Sequence, residues 1–457
     1  MKRAVPITAL LLAAIAAIGG AAAWWLGGKA EHGFQRLAEA LAAEPGIEVL
    51  DRRYERGWLK GAGAMRLASG EPRVETSLRL DAEHGPFPPS RLASGRFVPV
   101  ALVFHLRSGA GSGPGEPPSM DLYGVVDLAG TIRGEFTAAR VALHIDPQRR
   151  LVLGDARGDL RVQRSDGGKE LELRAEAGGF QVEEEGAVTE FGRARVSAQG
   201  RSRGRLLAGL TLQTWRLDAD TLRFVPRGEG RPIELTGVGI DAGWSAATGL
   251  ADGRLRASCD SLSAGGREFG AGTLAIDAER IDMDALERMN RRIASARTSG
   301  APPPRAEVLN ALAAVVAGGT KVTLREFSLE TGNGPIVARA TLEVDAGHPD
   351  LGVDTVALVE ATRIRIHAAL PEAALRDVLS GYTRRQLAAS QSRGQAGAPD
   401  PSRLDAVVED AVDAQIGEFL ERGYLRREGQ GFELDAGMDA GRLTINGQPV
   451  APVPAPG

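Results

Sequence analysis

Leu171-Glu172-Leu173-Arg174 is the stretch on which the fold of this chain turns. Apolar and charged residues alternate strictly, and period two is the signature of a strand with one face buried and one in water. Upstream, Val141, Leu143 and Ile145 alternate with Ala142 and His144. Glycine-containing pairs such as Asp166-Gly167 and Asp252-Gly253 read as turns between such runs, and Gly61-Ala62-Gly63 reads as a flexible turn. The pattern holds from about residue 47 to about residue 280, with no convincing helical stretch inside it. Short strands in series predict antiparallel hairpins and meanders. Gly85–Pro89 and Gly109–Pro118 read as loops, because proline and glycine cannot extend a ladder there.

On the N-terminal side, Lys2 and Arg3 precede an uncharged run from Ala4 to Gly28 whose apolar core is Val5 to Leu26. At 1.5 Å per residue this core, about 22 residues, spans roughly 33 Å, the thickness of a bilayer's hydrocarbon layer. Trp24 and Trp25 end the run, where amphipathic rings favour the interface, and the leading cations favour a cytoplasmic N-terminus. Residues 1–28 are therefore expected to be a cytoplasmic tip and transmembrane anchor, with residues 5–26 in the inner membrane and the bulk of the chain in the periplasm. A cleaved signal peptide is the alternative, with Ala21-Ala22-Ala23 as a cleavage site. Residues 29–43 read as a helix with Phe34, Leu37, Ala38 and Leu41 on one face, ended by Pro45-Gly46.

Beyond residue 280 the period changes. Met283, Leu286, Met289 and Ile293 fit one helical face. After Pro302–Pro304 a second helix carries Val308, Leu309, Leu312, Val315 and Val316 and stops at Gly318-Gly319. Strands return at Ile336–Val344 and at Ile364 and Ile366; Pro371 opens a helix with Ala374, Leu375, Val378 and Leu379 inward. Gln391–Pro401 is a polar linker. Ser402 and Asp405 have capping-box spacing ahead of a helix striped with Leu404, Val408, Ala411, Val412, Ile416, Phe419 and Leu420, closed by Gly423. The last strands hold Phe432, Leu434, Leu443 and Ile445, with an Asn446-Gly447 turn. The expected regions are thus 1–28 (anchor), 29–280 (helix, then β-rich), 281–390 (helices plus antiparallel strands) and 391–457 (linker, amphipathic helix and closing strands).

The 457 residues are 43% hydrophobic and 25% charged, an ordinary globular balance. A net charge of -4 speaks against nucleic acid as a partner. Cys259 is the single cysteine, so no intramolecular disulfide forms; it reads as a small buried hydrophobe in a strand. His32, His84, His105, His144, His348 and His367 show no metal-binding spacing, and His144 and His367 occupy polar strand positions. G-x-S-x-G spacing occurs at Gly200-Arg201-Ser202-Arg203-Gly204, but no helical pattern follows it as a nucleophile elbow requires, and no phosphate-binding loop occurs. Glu183-Glu184-Glu185 reads as an exposed loop or strand end, Asp282 and Asp284 as the start of a helix, and Asp405, Glu409, Asp410 and Asp413 as a solvated helix face. No catalytic, cofactor-binding or metal residue is therefore assigned, no cofactor is expected, and an enzyme is not expected.

Three stretches carry a resemblance: Tyr54-Glu55-Arg56-Gly57-Trp58-Leu59, then Ile281-Asp282-Met283-Asp284-Ala285-Leu286, and the closing set Gly423-Tyr424-Leu425, Phe432-Glu433-Leu434 and Gly441-Arg442-Leu443-Thr444-Ile445-Asn446-Gly447-Gln448-Pro449. In this order they resemble the YdgA family of bacterial envelope proteins, which has no assigned activity. Leu59-Lys60 departs from the family pattern, where an aromatic and a small polar residue are expected. The resemblance implies a periplasmic, β-rich protein and no catalytic residues. A looser likeness links the strand array to AsmA-like envelope proteins, which shield lipid in a β groove.

The expectation is an α+β, β-dominated fold: an N-terminal transmembrane helix, then a long, curved, groove-like antiparallel sheet with a few packing helices. The expected function is non-enzymatic binding or scaffolding in the cell envelope, with lipid or polypeptide held in the groove. A structural or assembly factor acting through protein contacts or homodimerisation, with the helix at 402–422 as its patch, is the alternative, and an envelope hydrolase the second.

Overall fold

The computed structural model describes residues 24–39, 41–42, 47–69, 74–95, 100–110, 120–139, 141–146, 149–165, 168–184, 187–202, 210–226, 231–247, 249–286, 288–289, 292, 305–348, 355–392 and 404–450. Most of the anchor expected at 1–28, residues 393–401 of the linker expected at 391–401 and the Ser402 cap lie outside them, and residues 391–392 belong instead to the helix Glu372–Ser392. Among the described residues no helix is long and apolar enough to cross a membrane. The chain divides into two compact units, Met1–Val238 and Gly239–Gly457, at a boundary the sequence does not mark.

The first unit is β-dominated and antiparallel. Strands Ile47–Arg56, Lys60–Ser69, Val74–His84, Leu102–Ala110, Met120–Val126 and Ile132–Ala138 each pair with the next. The following strands are long and interrupted once. Ile132–Ala138 runs on into Val141–Asp146, and Arg149–Leu153 into Ala156–Ser165. Gly168–Ala177 continues in the same way as Phe180–Glu184, and Ala187–Phe191 as Ala194–Ser202. Register survives each break: Ala138↔Ala156 and Val141↔Leu153 belong to one hairpin, as do Ala177↔Ala156 and Phe180↔Leu153 to the next. Leu210–Pro226 closes the series, pairing with Ala194–Ser202 along its first part and with Ala187–Phe191 along its second. Hydrogen bonds bridge the breaks, Gly154 N–H to Gly179 O at 2.7 Å and Gly192 N–H to Thr221 O at 2.9 Å. Glycine serves here because a Cβ on Gly154 would stand 2.8 Å from the Gly179 carbonyl oxygen.

A helix over residues 24–39 covers the beginning of this unit. Phe34 and Ala38 are buried against Met65, flanked by Leu78 and Leu80. Gly61-Ala62-Gly63 is not the turn expected but part of the strand Lys60–Ser69. Its glycines are spacers: a Cβ on Gly63 would stand 2.7 Å from the Phe34 ring, and Gly61 lies under the Tyr54 ring. The 47–280 region also holds one short helix, Pro89–Ala93, which period-two reading passed over.

The second unit is again an antiparallel series, with helices inserted between neighbouring strands. Ile233–Ala247 pairs with Leu250–Cys259, which pairs with Gly272–Asp282, then Lys321–Thr331, Gly334–Val344, Thr362–Pro371 and Gly431–Asp439. Asp252-Gly253 is not a turn. It lies inside Leu250–Cys259 at a register shift, where Asp252 Oδ1 accepts a hydrogen bond from Arg280 N–H at 2.9 Å. The turn falls at Gly249, whose φ is +84°. Asp282 caps the next helix, its Oδ1 accepting from Ala285 N–H at 2.8 Å, the structural role expected for it.

The core of this unit is made by Leu404–Glu421, with Val408, Val412 and Ile416 buried on Leu425 and Phe432 and flanked by Leu375 and Leu379 of Glu372–Ser392. Gly423 ends the helix in a Schellman arrangement, with Tyr424 N–H to Phe419 O at 2.7 Å and Gly423 N–H to Leu420 O at 3.0 Å. The Asn446-Gly447 turn has φ of +49° and +79°, the mirror-image turn that suits a two-residue hairpin. The inward assignment of Val378 fails. Val378 is 61% exposed, and Val308, Leu309 and Leu312 also face solvent while Ala313 and Val315 bury the other side of Arg305–Val316. Aliphatic spacing gives a helix but cannot say which side finds a partner.

Ala440 adopts φ +48° in the turn between Asp439 and Arg442, a left-handed conformation that costs an L-residue about 1–2 kcal/mol. Ala440→Asn is expected to stabilise the protein by about 0.5–1 kcal/mol, because asparagine tolerates this region. An unchanged urea midpoint would show that the turn is not strained.

Candidate functional site

Registers in the first unit sort its side chains onto two unlike faces. On one face, rows of apolar residues cross five strands: Gly134, Leu160, Leu173, Ala198 and Trp215 stand opposite one another in turn. A neighbouring row is all alanine: Ala138, Ala156, Ala177, Ala194 and Ala219. Phe136 folds over Gly158 directly opposite, as Phe104 folds over Gly124. Leu122, Phe136, Leu160, Val162, Leu171, Leu173 and Val196 are only half-buried. Among the described residues the one long helix of this unit packs on Met65, Leu78 and Leu80, far along the strand series from these rows.

The other face is charged and balanced. Across the same strands Thr137, Arg157, Glu176, Arg195 and Asp218 form one row. Glu176 receives Arg157 at 3.0 Å and Arg195 at 3.4 Å, while Asp218 is held by Arg216 at 2.8 Å. Hydrogen bonds from Gln163, then Arg201, push the Glu170 carboxyl down to about 2; Arg157 lowers Glu176 and Arg216 lowers Asp218. The depressions on the surface lie on this side: one of about 710 Å³ is lined by Tyr123, Arg133, Glu135, Asp159 and Arg161, and one of about 750 Å³ by Thr137, Arg157, Glu176, Arg195 and Asp218. The hollow expected to be apolar is therefore charged, and the apolar face carries half-buried side chains beside the buried Ala194, Ala198, Leu217 and Ala219 instead.

Carboxylates held below their usual range do not hold a proton near neutrality, so these three are unsuited to general-acid work. Their stability linkage has a definite sign. The folded values lie below the unfolded ones, so the contribution is present above about pH 4 and is lost as pH falls toward 2. The protein is expected to lose urea resistance between pH 5 and about pH 2.5, and Arg201→Gln to shrink that loss. An equal loss in the variant would remove the Glu170 network as its source.

Elsewhere the polar groups singled out from the sequence are structural or solvated. His105 stands 3.3 Å from Asp121, His348 3.8 Å from Glu360, and His367 Nδ1 2.8 Å from Asp435. His84 is buried against Gly27. Asp405 and Asp413 pair with Arg384 and Arg376 of the adjacent helix. Glu183 and Glu184 end the strand Phe180–Glu184, and Cys259 is half-buried at a strand end. Among the described residues no three His, Cys, Asp or Glu side chains are grouped to hold a metal ion.

A family model described as a bacterial protein of unknown function (DUF945) matches residues 1–453. No curated protein and no solved structure matches.

Proposed function

The chain belongs to the DUF945 family of bacterial proteins of unknown function, and on that premise we propose that it is a non-enzymatic lipid-binding protein of the cell envelope. In this reading residues 1–28 anchor it in the inner membrane, the rest is periplasmic, and acyl chains lie on the open apolar face of the first unit. The YdgA resemblance of the motifs at 54–59, 281–286 and 423–449 supports the periplasmic placement. One observation carries the ligand class: the half-buried aliphatic rows through Leu160 and Leu173 have no helix over them among the described residues. Apolar area that such half-buried rows leave to water is costly, at about 25 cal/mol per Å², which supports a surface that is covered in use. The rows are continuous across several strands, which suits long flexible hydrocarbon.

Native mass spectrometry of the full chain, extracted gently from membranes, tests this. Phospholipid that survives washing is the expected result. A lipid-free chain carrying a bound polypeptide or a second copy would transfer the reading to an assembly factor. That second reading has its own support in Val308, Leu309 and Leu312, exposed together on Arg305–Val316. The patch first expected at 402–422 is mostly consumed, since Val408, Val412 and Ile416 are core.

A further inference from the structure

We propose that one edge of the first unit, built from alternate hairpin tips, is immersed in the interfacial layer of a lipid bilayer. In an antiparallel series every second connection leaves the same end. The turn at 57–59, the connection at 85–100 and the turn at 127–131 do so, and registers set them side by side: Lys60↔Glu83, His84↔Leu102 and Leu102↔Val126. Each tip presents large apolar side chains to solvent. Trp58 is 61% exposed with Leu59 beside it at 42%, Phe87 is 51% exposed, and Leu128 is 62% exposed.

The helix over residues 24–39 begins at this same edge. The Trp24 ring lies 5.7 Å from Trp58, Arg56 stacks on Trp24 at 3.9 Å, and Arg56 Nη2 donates to Trp24 O at 2.5 Å. Trp25 is 63% exposed, with the Lys29 ammonium 5.0 Å from its ring. Trp24, near the end of the apolar run, thus lies where the exposed tips are gathered.

Scattered exposed aliphatics need no explanation, but tryptophan and phenylalanine collected on successive tips beside the end of an apolar run do. Indole rings with cationic neighbours are the side chains that settle at the headgroup level. The flanking charges nearly cancel, Lys29, Arg56 and Lys60 standing with Glu31, Glu55 and Glu83. Immersion is therefore driven by the rings and survives in purely zwitterionic lipid. The inference deepens the anchored reading above and rests on it for the orientation of the edge. It also supplies a route, since lipid leaving the bilayer at these tips meets strands that belong to the same sheet as the apolar rows.

The test uses the full chain with Cys259→Ser, reconstituted into phosphatidylcholine vesicles with a shallow spin-labelled quencher lipid. A fluorophore is placed through Leu59→Cys, through Leu128→Cys, or through Glu184→Cys at the opposite end of the strands. Quenching at the first two positions is expected to exceed that at the third by about threefold or more. Alkaline carbonate washing separates the two readings. Quenching with retention supports both the edge and the anchor. Quenching with release by carbonate keeps the edge and removes the anchor. Retention with equal quenching at all three positions overturns the edge and keeps the anchor, and a chain that never joins the vesicles overturns both.

Discussion

Phe432→Ala is expected to destabilise the second unit by about 3–5 kcal/mol, among the largest costs of any single truncation in the chain. Phe432 is 1% exposed and is the side chain on which Val408, Val412 and Ile416 rest. It stands opposite Leu370 in one neighbouring strand and opposite Arg427 in the other. Removing the ring leaves a cavity among groups fixed by two strands and a helix, so relaxation is limited and the cavity cost remains. Hydrogen exchange in Leu404–Glu421 reads it directly: amides there should lose about two to three powers of ten in protection. Val378→Ala, at a site 61% exposed on the neighbouring helix, should shift protection by less than about threefold. Equal effects at the two sites would mean that the helix is not held by this core.

The alternation at Leu171–Arg174 made both the strand class and the antiparallel arrangement legible, because period two is a local property of the chain. Helix ends were legible for the same reason at Gly423 and Gly319, where glycine takes the left-handed conformation that stops a helix. What escaped is non-local. Gly63, Gly124, Gly158 and Gly253 look like turn residues, yet each lies inside a strand opposite an aromatic ring, namely Tyr54, Phe104, Phe136 and Trp244. Spacing could not show this, since the partner that requires the missing Cβ comes from another element: the helix residue Phe34 for Gly63, and a neighbouring strand for Gly124, Gly158 and Gly253. An aromatic residue and an in-phase glycine at hairpin distance is the signal that would have found it. The apolar face was half legible: alternation says that one side is apolar, but only the position of the one long helix among the described residues of this unit says that none of them covers the rows around Leu160 with a helix.

Leu160→Lys combined with Leu173→Glu separates an open face from a hidden core. The two residues face each other across adjacent strands, so the introduced charges are opposite in sign and paired. On an open sheet face such a pair costs little, because water reaches both groups and cross-strand ion pairs contribute up to about 1 kcal/mol. In a closed core the same pair would be desolvated at a cost of several kcal/mol and the unit would fail to fold. The expected outcome is a protein whose urea midpoint is nearly unchanged and whose co-purifying lipid falls by about tenfold or more, since the chain no longer offers continuous hydrocarbon where acyl chains lie. Unfolding of the variant would show that the rows are covered, and with them the lipid-binding reading would go. A folded variant with undiminished lipid would place the ligand elsewhere, and the exposed tips at Trp58 and Leu128 would be the next surface to alter.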